Sequence, residues 1–127
     1  MSWFILCSAI LVLFYASLSF NVSRMRLRQQ RSPAVTDAEL KRAVRAHGNA
    51  AEYIPLFVAL FIYLHVTHAG AFLAVIAVLA TVSRIVHAVG MLRTRSGTER
   101  NRLRFYGALG TYLCLFALGG ALLFSAF

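Results

Sequence analysis

The chain has 127 residues, of which 60% are hydrophobic and 13% charged, and its mean hydropathy is +0.72. A water-soluble domain of this size cannot hide that much apolar surface, so a soluble globular protein is excluded. The formal net charge is +9, but the basic residues lie between long apolar runs, which argues against a nucleic-acid partner. We expect an integral membrane protein whose basic segments meet anionic lipid headgroups or an anionic ligand.

The first predicted transmembrane helix contains the run from Trp3 to Phe20, 18 residues without a charge. This length is just sufficient to span the hydrocarbon core. No basic residue precedes the run, so we expect a retained helix rather than a cleaved signal peptide. Arginines follow it closely, and Pro33 then ends the helical pattern because proline cannot occupy a helix interior without losing a hydrogen bond. The predicted helix covers residues 2–31.

The second and third predicted helices share one long uncharged region. Thr36 and Glu39 have the spacing of a capping box, which predicts a helix start near residue 37. Residues 53–83 contain no Asp, Glu, Lys or Arg, a run too long for one span and too short for two complete ones. We therefore predict a tight turn at its polar interruption, residues 65–70, between helices that extend outward on both sides.

The resulting prediction is an all-α fold, a bundle of four transmembrane helices in one membrane domain, residues 1–127. The last three helices are predicted at 37–66, 69–92 and 98–126, the fourth around the uncharged run 105–127. Seven of the thirteen basic residues flank the first loop, six flank the third, and neither the middle turn nor the chain ends contain any. The positive-inside rule then predicts cytoplasmic basic loops, with the N- and C-termini on the extracytoplasmic side.

Charged residues at membrane depth are rare and need a reason. At a rise of about 1.5 Å per residue, Glu52 and Arg84 lie about 22 and 25 Å from the middle turn. Both are therefore expected at nearly the same depth, toward the cytoplasmic side of the membrane. An ion pair between them is one option. One face of helix two carries Arg45, Asn49 and Glu52, as their spacing predicts, and His47 points away from that face. On helix three, the spacing places Arg84 and His87 on a common face. These groups could line one cationic pocket.

Simpler structural roles remain open for several of these residues. Polar side chains can hold helices together in lipid, and arginines near helix ends can extend to the interface. His65 and His68 flank the middle turn, and we interpret them as solvated turn residues rather than metal ligands, because no other ligand is near in sequence. Cys7 and Cys114 are interpreted as small buried apolar residues. No metal site is predicted.

Two segments resemble signatures of the MAPEG superfamily, the membrane-associated proteins in eicosanoid and glutathione metabolism. Residues 45–57, RAHGNAAEYIPLF, resemble the helix-two signature R-A-x-x-N-x-x-E-Y-x-P-x-F of the leukotriene-C synthase branch and the related R-A-H-x-N-x-x-E of microsomal prostaglandin E synthase. Residues 83–90 resemble the helix-three signature, an Arg followed three residues later by Tyr or His. Length, hydropathy and helix number agree with the same family.

The resemblance implies a homotrimer of four-helix bundles that binds glutathione between adjacent subunits near the cytoplasmic face. It also implies a lipophilic second substrate from the membrane. By matching positions, the glutathione ligands would be Arg45, Asn49, Glu52 and Tyr53 of helix two, Arg84 and His87 of a neighbour's helix three, and Arg102 or Arg100 with Tyr106 of helix four. The catalytic arginine that activates the thiol would match Arg26, and less well Arg24.

Three positions depart from the eicosanoid enzymes. Met91 stands where they carry a tyrosine, Gly48 where the prostaglandin branch has arginine, and His87 where the leukotriene branch has tyrosine. The chain looks more like bacterial members of the family, which implies a bacterial inner membrane. The resulting hypothesis is a glutathione-dependent transferase or peroxidase that acts on lipophilic electrophiles.

Two other functions are weighed against this hypothesis. The first is a non-catalytic scaffold that binds glutathione or a lipid. The second is a small proton-coupled drug antiporter, which would use Glu52 as its membrane carboxylate. Some such antiporters insert in both orientations with little charge bias, and the thirteen-to-zero split of basic residues argues against that reading.

Overall fold

The structure is a computed structural model that describes residues 1–32, 35–94 and 101–127. Over these ranges it contains four α-helices and no strand: α1 (Trp3–Arg31), α2 (Asp37–Val66), α3 (Ala71–Arg93) and α4 (Arg102–Phe124). Each helix is long and apolar enough to cross a membrane. The predicted all-α, four-helix fold is therefore confirmed. Residue 98, where the fourth helix was predicted to begin, lies outside the described residues.

Local signals set where the helices begin and end. At the start of α2 the Thr36 backbone N–H donates to Glu39 Oε2 at 2.9 Å, and the Glu39 N–H donates to Thr36 Oγ1 at 3.2 Å. This reciprocal capping box satisfies two backbone donors that the helix itself leaves unpaired. In the turn between α2 and α3, His68 has a φ of 53°. That left-handed conformation lets the chain reverse between Val66 and Ala71.

The core lies between α1, α2 and α3, which pack against one another, while α4 packs chiefly on α3. Phe57, Phe61 and Leu11 are buried at its centre. Large apolar side chains also cover the outside of the bundle, and Phe116 and Phe124 are more than 80% exposed. A bundle with apolar residues on both its inner and its outer faces suits a lipid environment rather than water.

Glycines bring α3 and α4 into close contact. A Cβ atom added at Gly107 would lie 2.5 Å from the backbone nitrogen of His87. One added at Gly90 would meet the Arg104 backbone, and one at Gly110 would meet the Ser83 hydroxyl. Small residues permit such approach between membrane helices. We call this contact between α3 and α4, made at Gly90, Gly107 and Gly110, the glycine seam. The seam fixes how α4 lies beside the polar residues of α3.

We expect Gly107→Ala to destabilise the bundle. The added methyl group collides with backbone rather than with a flexible side chain, and overpacking of this kind costs about 1–3 kcal/mol. Gly119→Ala is the matched control in the same helix, because nothing lies within 4 Å of its added Cβ. Thermal unfolding in detergent micelles, followed by circular dichroism, should show a lower Tm for Gly107→Ala only. Equal Tm values for the two variants would contradict the close seam.

Candidate functional site

Arg84 lies inside the bundle, where it is 2% exposed. Its Nη2 donates to Asn49 Oδ1 at 2.6 Å and to the Asn49 carbonyl oxygen at 3.3 Å. Its Nη1 donates to Thr111 Oγ1 at 3.5 Å. The guanidinium carbon lies 4.6 Å from the centroid of the Tyr53 ring, within the range of a cation–π contact. One side chain of α3 thereby joins α2 and α4.

The ion pair considered between Glu52 and Arg84 does not form. Glu52 is exposed on the outer face of α2, whereas Asn49, one turn earlier, points inward and accepts the short hydrogen bond from Arg84. Arg84 Nε has no hydrogen-bond partner, the single such buried side-chain atom in the described part of the chain. The buried cation is therefore held by neutral oxygens and an aromatic ring rather than by a carboxylate.

Two tyrosines join α2 and α4 beside the guanidinium. The Tyr53 hydroxyl donates to the Tyr112 hydroxyl at 3.5 Å, and the two rings meet edge to face with centroids 6.3 Å apart. Tyr53 was expected here from the helix-two signature, whereas Tyr112 and Thr111 were not predicted. Thr111 lies one turn after Gly107 on the stripe of α4 that packs against α3. That spacing is the signal that could have found it.

His87 is 7% exposed and is fixed by α4. Its Nδ1 lies 2.8 Å from the carbonyl oxygen of Arg104, in the first turn of that helix. The seam places this carbonyl within reach, since Gly107 packs on the His87 backbone and Gly90 on the Arg104 backbone. Helix packing, rather than a neighbouring side chain, therefore orients the imidazole.

An open-sided cavity of about 410 Å³ lies beside these groups, between α2, α3 and α4. Its lining includes Asn49, His87, Met91, Arg104, Phe105 and Tyr112. Because Asn49 Oδ1 is engaged by Arg84, the amide nitrogen is left to donate to a ligand. The cavity combines a few directional polar groups with apolar walls, which is typical of small-molecule sites.

The model of the MAPEG family matches residues 4–124, nearly the whole chain. The chain belongs to the MAPEG family. It is also 32% identical over 77 residues to the inner membrane protein YecN of Escherichia coli K12, and to the same protein of strain O6:H1. The matched region spans 58% of this chain and 59% of each relative, so it covers less than two thirds of their length.

The family match confirms the resemblance read from the helix-two and helix-three signatures. With four helices that can each cross a membrane, this MAPEG protein is a multi-pass integral membrane protein. The family positions do not all converge within one bundle. Asn49 and His87 line the cavity, and Arg84 contacts both Asn49 and Tyr53.

The other predicted site residues that the structure describes lie on the outside of the bundle and are exposed. They are Arg26, Arg45, Glu52, Arg102 and Tyr106. The Tyr106 ring packs edge to face on Phe105, with centroids 5.4 Å apart. Arg100, the alternative to Arg102, is outside the described residues. Five of the predicted positions therefore lie on the outer surface of the bundle, whereas Asn49, Tyr53, Arg84 and His87 belong to the cavity lining or to the contacts of Arg84.

Two further histidines, His47 and His65, contact the N-terminal helix or its cap. His47 Nε2 lies 2.8 Å from Ser19 Oγ and its ring stacks on Tyr15, with centroids 5.0 Å apart. His47 thus points to α1, away from the Arg45 face, as its helical spacing predicts. His65 Nδ1 lies 3.0 Å from Ser2 Oγ. Over the described ranges, no three His, Cys, Asp or Glu residues are grouped as metal ligands.

We expect Asn49→Ala to lower the stability of this MAPEG protein by about 3 kcal/mol, because it leaves the buried Arg84 cation without its short hydrogen bond. Arg84→Met should lose less, since an apolar side chain of similar length replaces the charge. Denaturation by dodecyl sulfate in mixed micelles measures both changes. Asn21→Ala, on α1 with only a 3.5 Å contact to Arg24, is the control. A lower stability for Arg84→Met than for Asn49→Ala would contradict this account.

Proposed function

We propose that this MAPEG protein binds glutathione beside Arg84 and uses it as a transferase or peroxidase on lipophilic electrophiles. The observation that supports the proposal most is the meeting of Asn49, Tyr53 and Arg84 beside a 410 Å³ cavity that His87 also lines. These four positions come from the family signatures of two different helices. The inner-membrane location of the named relatives supports a bacterial inner membrane as the place of action.

The chemistry of glutathione suits the polar groups on this side of the protein. Glutathione carries two carboxylates, one ammonium group and a thiol. Arg45 offers a forked donor to a carboxylate, Glu52 suits the ammonium, and the Asn49 amide nitrogen can donate to an acceptor. Arg26 would stabilise the thiolate, which makes the sulfur more nucleophilic at neutral pH. Met91 and Phe105 give the cavity an apolar wall for a lipophilic partner.

The exposed charges on α2 support a homotrimer. Arg45 and Glu52 lie on the outer face of the subunit, and Glu52 lies at a depth where a charge facing lipid costs about 3 kcal/mol. A neighbouring copy that covers this face would provide polar partners for both residues. It would also join the exposed half of the ligand set to a cavity. The family resemblance supports an assembly of three copies.

We expect purified protein in detergent to bind glutathione in calorimetric titration and Arg45→Ala to weaken that binding at least tenfold. A lost charge-assisted hydrogen bond is worth about 1.5–3 kcal/mol, and about 1.4 kcal/mol corresponds to a factor of ten. Lys41→Ala is the matched control, because Lys41 is also exposed and lies one turn earlier on α2.

The same preparation separates the alternatives. An absence of glutathione binding to the wild-type protein would refute the proposed site. Binding without conversion of a chlorodinitrobenzene acceptor would favour the non-catalytic scaffold instead. Native mass spectrometry of the sample should show three copies per complex, and a monomer that binds glutathione at full affinity would refute the shared site.

A further inference from the structure

The hydrogen bond between His87 and Arg104 fixes the tautomer of the imidazole. A backbone carbonyl oxygen can only accept, so the His87 Nδ1 that lies 2.8 Å from it carries the proton. A neutral imidazole has a single ring N–H. The other nitrogen, Nε2, is then an unprotonated acceptor, a state set by the bond at the opposite side of the ring.

The Nε2 atom of His87 is left without a protein partner. No other residue in the described ranges forms a hydrogen bond with the His87 ring. In the described part of the chain, Arg84 Nε alone is a fully buried side-chain atom without a partner, so Nε2 keeps some accessible surface. Because His87 contributes to the cavity lining, the cavity is the space from which a ligand could reach this acceptor.

We propose that His87 is the general base of the reaction and accepts the thiol proton of glutathione through Nε2. This inference rests on the proposed function. The S–H bond breaks as its proton passes to Nε2, and the sulfur forms a bond to the electrophilic carbon. With a chlorodinitrobenzene acceptor the C–Cl bond breaks, chloride leaves with the electron pair, and the imidazolium releases its proton to water at the cavity mouth.

The groups that surround the ring suit this division of roles. Among the described residues, the charged groups that act on His87 are Arg84 on its own helix and Arg104 on α4, while α2 contributes the neutral Asn49 to the cavity lining. The cations can stabilise the thiolate that the base creates. The Arg104 carbonyl orients the ring and accepts a hydrogen bond from the imidazolium. In arrangements of a nucleophile and a base, a third group commonly orients the base in the same way.

His87→Asn is the variant that isolates the base. The asparagine amide can still donate to the Arg104 carbonyl, but it has no atom at the position of Nε2. We expect kcat to fall about 100-fold or more, while the Kd for glutathione rises by at most about tenfold, the loss of one hydrogen bond to the ligand. The rise of kcat with pH that reports the base should also disappear. His47→Asn is the control, because His47 bonds to Ser19 on α1, outside the cavity.

Three outcomes would overturn the inference, and they differ from one another. Wild-type kcat and pH profile in folded His87→Asn would leave the glutathione site intact and remove the base. If that variant fails to fold, the ring ¹⁵N shifts of the wild-type protein decide, since a tautomer protonated at Nε2 contradicts the proposed acceptor. A wild-type protein that binds no glutathione would remove the proposed function itself and the base with it.

Discussion

The hydrogen bond from Arg84 to Asn49 stabilises a cation in the interior of a helical membrane bundle. A charge in this position is costly unless polar groups from the surrounding helices satisfy it. Asn49 and Tyr53 of α2 and Thr111 of α4 do so here, with the shortest contact at 2.6 Å. The bond has a second consequence, because it engages the Asn49 oxygen and leaves the amide nitrogen as the group that can donate elsewhere.

The glycine seam between α3 and α4 positions the His87 side of the cavity. Gly107 lets α4 approach the His87 backbone, and this approach brings the Arg104 carbonyl to the His87 ring. The cavity therefore has a donor fixed by Arg84 and an acceptor fixed by Arg104. Each side chain is held by a hydrogen bond to another helix, and such bonds keep a site in its binding geometry before a ligand arrives.

Much of the fold follows from the sequence, because charge-free runs set the spans and capping residues set their starts. The capping box at Thr36 and the turn around His68 are local features that short motifs specify. The contacts of Arg84 were not predictable in the same way. Asn49 and Glu52 share a face by spacing, and only the rotation of α2 against α3 decides which one meets the guanidinium. Tyr112 was missed because residues 105–127 contain no charge, so hydropathy gives no signal for the orientation of that part of α4.

A structure of the solubilised protein determined with glutathione would show the Arg84–Asn49 bond and the position of the ligand together. We predict that Arg84 stays hydrogen-bonded to Asn49 of its own chain, with ligand density against the Asn49 amide nitrogen and the His87 ring. Arg84 turned outward to lipid or to a neighbouring subunit, with Asn49 released and the cavity closed, would contradict it.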